Sequence, residues 1–250
     1  MGDVRDSFRN VAANYSKSTF HTSSVRLREV LDLSRPKPGD LALDVATGTG
    51  NTAFAIAPHV RRVVGLDLTR EMLLEGRRIA ADRAIDNVDW VIGDALNLPF
   101  QDETFDVYTV RAAPHHFVDV DRFLAEAFRV LKAGRDAAFV DCAPPLPARD
   151  LLHEVEVRRD PSHVLSLTVD EWIDKLGRAG FEVEHAEARE LDWNYAEWMG
   201  NMAVTAPLSD ELAAVIESAE GEARAQLHPE RRDGRLFHAY WHALIRAHKP

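Results

Sequence analysis

An α/β fold built on a doubly wound, mostly parallel sheet is what this sequence predicts, and three observations carry the prediction. Short apolar runs alternate with helical patterns from Leu41 onward, the spacing of strand–helix–strand units. The first run, LALDVA, leads directly into the turn TGTG and a helix start at Asn51 and Thr52. Asp44, Asp67, Asp94 and His115 fall at or near the ends of successive apolar runs. In open α/β sheets ligands collect beyond those carboxyl ends.

Taken in order, residues 1–34 read as a helical cap. VRLREVLDL puts Leu27, Val30 and Leu31 on one face, Pro36, Pro38 and Gly39 close the segment, and Phe8, Tyr15 and Phe20 precede it. The cofactor-binding core is expected over 41–142. Its first strand is 41–46, followed by a short helix that Pro58 ends. RRVVGLDL is the second strand, and Thr69 stands where a cap is needed for a helix whose Met72, Leu73, Gly76 and Ile79 face the sheet. VDWVIGDAL and TFDVYTV are the third and fourth strands. A helix over 121–132 has Leu124, Ala127, Phe128 and Leu131 on one stripe, and DAAFVDCA is the fifth strand. Residues 143–235 form lid additions around a further strand. They comprise the stiff PPLP connector, a polar stretch over 150–167, a capping box from Thr168 to Glu171, a helix stopped by Gly180, the strand FEVEHAEAREL, and a helical region with Ser209 as an N-cap. The closing strand, 236–248, alternates with Phe237, Ala239, Trp241, Ala243 and Ile245 on one apolar face.

Composition narrows the function. With 250 residues, 46% of them hydrophobic, the chain is sufficient for one substantial domain spanning 1–250. A net charge of −11 argues against nucleic acid as the partner. The single cysteine, Cys142, excludes an intramolecular disulfide and a multi-cysteine metal site, and its apolar surroundings mark a buried structural thiol. No metal is expected. The start, MGDVRDSFRN, lacks an apolar signal core and no run approaches 18 apolar residues, so a cytoplasmic protein without membrane insertion is expected.

The glycine turn is a ligand cradle, because glycines admit close backbone approach and the helix start offers N–H groups. GTGNTA also fits G-x-G-x-x-A, so the stretch by itself accommodates a dinucleotide or a nucleoside. Read together, DVATGTGN at 44–51, VVGLDLTREML at 63–73, GDALNLPFQDETFDVYTV at 93–110, HHF at 115–117 and RVLKAG at 129–134 resemble the class I S-adenosylmethionine-dependent methyltransferases. The likeness is to the branch typified by the ubiquinone/menaquinone-biosynthesis methyltransferase domain. FRNVAANYS and RDPSHV are similar more loosely, and the branch's C-terminal signature for quinone precursors is not found.

The resemblance implies a Rossmann-like sheet of seven strands with the last antiparallel, and S-adenosyl-L-methionine as cofactor with S-adenosyl-L-homocysteine as product. Asp67 is then expected to accept from the ribose hydroxyls and Asp94 from the adenine amino group, with Leu68 and Ala95 beside them. Gly48 and Gly50 admit the methionine portion, and Ala46 stands at the first glycine of the usual motif. Asp44 holds the loop or the cofactor's ammonium, and Arg111 and Tyr15 complete the expected contacts. A sulfonium nucleoside carries positive charge and no phosphate, which suits a pocket of carboxylates.

Three histidines are catalytic candidates. His115 and His116 either take a proton from the methyl acceptor or bond and pack at a helix start. His163, with Asp160, either enters the acceptor pocket from a lid or belongs to a solvated loop. Trp172, Trp193, Trp198 and Trp241, with Tyr195, Met199 and Met202, either form the core of a cap or line a pocket for an apolar or aromatic small-molecule acceptor. The expected reaction is direct methyl displacement by an acceptor oxygen, nitrogen or carbon. Two alternatives are a non-methylating enzyme that binds the same cofactor and an NAD(P)-dependent oxidoreductase.

Overall fold

The parallel half of the sheet is built from five strands, β1 (Leu41–Val45), β2 (Arg62–Asp67), β3 (Val88–Ile92), β4 (Val107–Arg111) and β5 (Arg135–Cys142). The computed structural model describes residues 22–250 together with Arg5 and Ser7; Phe8 and Tyr15, and Phe20 with them, lie outside the described residues. Three antiparallel-ladder strands complete the sheet, β6 (Glu182–Asn194), the short β7 (Glu230–Arg232) and β8 (Arg235–Lys249). The order is β3-β2-β1-β4-β5-β8-β6, with β7 paired to β8, and β8 runs antiparallel to its neighbours. The seven strands of the main path and the reversed last strand are those expected. β7 is an addition that continues the β8 hairpin.

Strand order reverses between β1 and β4, so the chain winds in opposite directions from that seam. On one face lie α1 (Ser24–Ser34), α2 (Asn51–Ile56) and α3 (Arg70–Asp82). There Phe54, Ile56 and Ile79 pack on Ala42, Val63 and Val107, and α1 sets Val30 and Leu33 against Ala138, Val140 and Leu244. On the other face α4 (Val120–Val130) and α6 (Val169–Arg178) bury Phe123, Leu124, Trp172 and Leu176 against Leu43, Tyr108 and Phe139. Asp119 caps α4 by accepting from the Arg122 amide, and the Thr168–Glu171 capping box of α6 is complete. The expected α3 stripe is buried as read from the sequence.

Several local expectations change. The polar 150–167 stretch contains a regular helix, α5 (Ala148–Arg159), and then turns inward, so that Asp160, Ser162, His163 and Ser166 are buried. The stretch reads as polar although it is helical because Glu156 sits on the inner side, bonded to Tyr240 and Arg159. The region before β7 divides into α7 (Tyr195–Asn201), α8 (Ala206–Glu217) and α9 (Gly221–Leu227). Thr205, not Ser209, is the N-cap residue of α8. Pro207 occupies the first turn, where its missing N–H costs nothing.

β8 is also buried on both faces instead of one. Its polar-looking residues His238, Tyr240 and His242 are as enclosed as the apolar ones, because Trp193 and Trp198 fold over them. These aromatics form a second core with α5, α7, α8 and α9.

One indole locks the glycine turn into the sheet. Trp90, on β3, fills the space behind both Gly50 and Gly76: a Cβ at either position would come within 2.5 Å of its ring. Gly50 also holds a φ of +89°, which L side chains rarely adopt. Gly50→Ala is therefore expected to destabilise the fold by about 1–3 kcal/mol, read as a lowered midpoint in urea unfolding; an unchanged midpoint would show that the turn is not held this way.

Candidate active site

The seam between β1 and β4 opens at its carboxyl end into a cavity of about 280 Å³. Its floor is the turn after β1. Ala46 adopts a φ of 51°, left-handed although it is not glycine, and Ala112 at the end of β4 does the same at 53°. Both residues stand on the cavity wall, the kind of place where backbone strain concentrates.

Three carboxylates come from three successive strand ends. Asp44 is buried at the seam, where it accepts from Thr47 Oγ1 at 2.6 Å and from Thr109 Oγ1 at 2.8 Å. Burial pushes its pKa up to about 6, against the two hydroxyl bonds and the nearby Arg111 charge. Asp67 accepts from the Gly48 amide and from the Thr69 amide, each at 2.8 Å, and so ties the glycine turn to the start of α3. Burial raises its pKa as well, opposed by those amides. Asp94 is exposed at the mouth, with Oδ1 accepting from the Leu96 amide at 2.9 Å. Leu68, Ala95, Leu96 and Phe117 supply apolar wall. Arg111 donates from Nε to Thr52 Oγ1 at 3.0 Å; burial draws its pKa down to about 10, so it remains charged at neutral pH.

Of the expected cofactor residues, Asp44, Ala46, Gly48, Asp67, Leu68, Asp94, Ala95 and Arg111 all line this one cavity. Gly50 is not on its wall. It acts behind the turn, where Trp90 and Phe54 leave no room for a side chain. Tyr15 lies outside the described residues.

The three histidines separate sharply. His116 stands on the cavity wall, with Nδ1 3.1 Å from Ser162 Oγ and Nε2 3.9 Å from Asp160 Oδ2. Burial, and then the charge of His115, hold its pKa well below the ordinary histidine value, so it is neutral. His115 turns away from the cavity. Its Nδ1 meets Asp141 Oδ1 at 2.6 Å while its amide donates to Asp141 Oδ2 at 2.8 Å. Burial disfavours its charge, but the Asp141 carboxylate outweighs burial and keeps His115 protonated, well above the usual value.

His163 is off the cavity wall and buried, its ring 5.4 Å from that of His115 and 5.5 Å from that of His153. Burial lowers its pKa to about 4. It is therefore neither a lid residue entering the cavity nor part of a solvated loop. Cys142 is buried as expected, 2.9 Å from Ser166 Oγ. Trp172, Trp193, Trp198 and Trp241 are all core, and none lines the cavity.

Sequence reasoning missed Asp141, Thr109, Thr47 and Ser162. None had a legible signal of its own: Asp141, Thr109 and Thr47 lie in or beside apolar strands, and Ser162 lies in the run RDPSHV, which reads as a solvated loop.

The model of the ubiE/COQ5 methyltransferase family matches residues 2–146. A Bacillus subtilis protein, YcgJ, described as an uncharacterized methyltransferase, is 33% identical over 184 residues, which is 73% of each chain. Its crystal structure superposes with a TM-score of 0.83 at 27% identity, covering 88% of this chain and 96% of that one. A methyltransferase candidate from Bacillus halodurans superposes at 0.84 with 33% identity, over 91% of this chain and all 100% of that one. The ubiquinone/menaquinone biosynthesis C-methyltransferase of a Ruegeria species is 41% identical over 142 residues, 53% of this chain and 56% of that protein. With a family match across more than half its length and a relative one-third identical over most of it, this chain belongs to the ubiE/COQ5 methyltransferase family and is an S-adenosylmethionine-dependent methyltransferase.

Proposed function

We propose that the chain methylates a small-molecule acceptor by direct displacement, with His116 taking the acceptor's proton. The observation that supports this most is the convergence of three strand-end carboxylates, the glycine turn and a neutral histidine on one cavity at the sheet's switch point.

The cavity fits the cofactor on its own chemistry. When bound, S-adenosylmethionine supplies an electrophilic methyl group on a positively charged sulfur. Asp44, Asp67 and Asp94 set a negative field that favours a cation and disfavours a pyrophosphate. Asp67, held by the Gly48 and Thr69 amides, is an acceptor at the strand end, which suits ribose hydroxyls. Asp94 at the mouth, flanked by Leu68, Ala95 and Phe117, suits the edge and faces of adenine. Asp44 and Arg111 sit deeper, where an ammonium and a carboxylate of the methionine portion find opposite partners. Ala113, Phe117 and Val118, on the wall beside His116, would align the acceptor, the main contribution expected for displacement at a methyl group. His116 is the candidate base because it is both neutral and on this wall. His115, already protonated and turned to Asp141, is proposed as a fixed buttress.

Three outcomes test the reading. S-adenosylhomocysteine should raise the unfolding temperature and NAD(P) should not, with Asp67→Ala weakening its binding by roughly 10- to 100-fold in calorimetry. Its affinity should also fall as pH drops through about 6, where the Asp44 carboxylate that faces the ligand's ammonium becomes protonated; a flat profile from pH 8 to 5 would remove Asp44 from that role. His116→Ala should slow transfer of labelled methyl into a fractionated small-molecule extract by about 10²–10⁴-fold while S-adenosylhomocysteine still binds.

A further inference from the structure

The turn after β4 carries two histidines that are neighbours in the chain and in space. Their ring centroids lie 4.1 Å apart, and the side chains of His115 and His116 are 12% and 7% exposed. His115 is held through its amide, its ring and its carbonyl. Asp141 Oδ2 accepts from its amide at 2.8 Å, Asp141 Oδ1 meets its Nδ1 at 2.6 Å, and its carbonyl accepts from the Val164 amide at 2.8 Å. β5 also grips the chain just before the turn, where the Ala112 amide donates to the Val140 carbonyl at 2.8 Å.

This clamp decides where charge resides. A carboxylate only accepts, so the short bond carries its hydrogen on Nδ1 of His115. Asp141 is buried, which leaves the ring of His115 as the cation beside it. Two imidazolium ions cannot share a 4.1 Å contact away from water. With His115 charged, His116 is driven towards its uncharged form whatever else it bonds.

The titratable and charged groups around the pair come from β5, α5 and the segment after α5. Asp141 and Cys142 face His115, and so does Glu156. Burial keeps Cys142 a neutral thiol. Asp160 and His163 face His116, with Arg159 beside Asp160. Burial first, and then the His115 charge, disfavour a proton on His116, while Asp160 favours one.

We propose that Asp141 is a positioning residue for methyl transfer: it clamps His115 as an imidazolium against the ring of His116 and thereby keeps His116 uncharged and able to take the acceptor's proton. This deepens the reading of His116 as base and rests on it. Nothing has to move. β5 supplies a fixed carboxylate, the carboxylate holds a fixed cation, and the cation keeps its neighbour a base in mildly acidic solution.

Asp141→Asn tests the clamp without changing its shape. The His115 amide still needs an acceptor, which takes the new side chain's oxygen. Its NH₂ then faces Nδ1 as a donor and leaves His115 neutral, with the proton on Nε2. Long-range ¹⁵N–¹H correlation of histidine-labelled protein reads both rings, each signal being assigned by its loss in His115→Gln or His116→Asn. At neutral pH, His115 should be charged in wild type and neutral in Asp141→Asn. His116 should take up its proton at a pH higher by about one unit or more in Asp141→Asn than in wild type. His115→Gln, whose amide still donates to Asp141, removes the cation directly and should move His116 the same way; it stands in if Asp141→Asn does not fold.

Transfer of labelled methyl into the small-molecule extract, at saturating S-adenosylmethionine, should fail on the acid side at a correspondingly higher pH in both variants, because a base acts only when unprotonated. A clamp that merely supports the fold would lower the rate equally at every pH. A neutral His115 in wild type, or a wild-type His116 titration in both variants, overturns the proposal. A shifted His116 titration with an unshifted rate profile defeats His116 as base, and the role of Asp141 in transfer with it. Absence of S-adenosylhomocysteine binding to wild type in calorimetry would defeat the cofactor cavity, whatever the charges on the histidines.

Discussion

Thr109 reaches across from β4 to donate to Asp44 on β1, and much else in the molecule depends on that bond. It spans the seam at which the sheet reverses its winding, where helices diverge to opposite faces and leave a crevice. The carboxylate it holds is buried and already perturbed, so without the two threonine hydroxyls it would be a charge with poor compensation. Held by them, it fixes the turn that follows β1. Asp67 holds the same turn from the neighbouring strand. The cavity floor is thus anchored to two strands by side chains that also carry its charge.

Around that floor the molecule is divided by task. The parallel strands, with helices packed on both faces, set the cavity. The long β6–β8 ladder projects past it and carries a second core of tryptophan, tyrosine and histidine under α5 and α7–α9. The two meet at the turn containing His115 and His116, which bonds to β5 through Asp141 and to the segment after α5 through the His115 carbonyl. Adjacent histidines consequently differ in charge. One is paired with a carboxylate at the strand end, and the other faces the cavity with its carboxylate partner further off.

The sequence was most legible where backbone chemistry repeats. Asp44, Asp67 and Asp94 recur at strand ends, glycine follows the first strand, and strand–helix spacing dictates parallel winding; all of these can be read from local pattern. The eight cofactor-cavity residues that converge were named for this reason. Less legible was anything resting on burial of polar groups. RDPSHV looks like a solvated loop by composition, and HAYWHA looks one-sided, because hydropathy cannot show that a serine, an aspartate and a histidine satisfy one another inside. Asp141 was hidden in an apolar strand for the same reason. Gly50 illustrates a third limit: its need for a bare backbone comes from Trp90, forty residues away in the chain.

That indole ties three positions into one evolutionary unit. Its ring occupies the volume that side chains at 50 and 76 would need, and it packs edge-on to Phe54 at 5.8 Å. A larger residue at either glycine is compatible with this backbone only if position 90 shrinks, and a smaller residue at 90 leaves a void under the turn unless a glycine is replaced. Across relatives, these three sites are expected to change together or not at all, so the identity of residue 90 reports on how tightly the floor of the cavity is sealed.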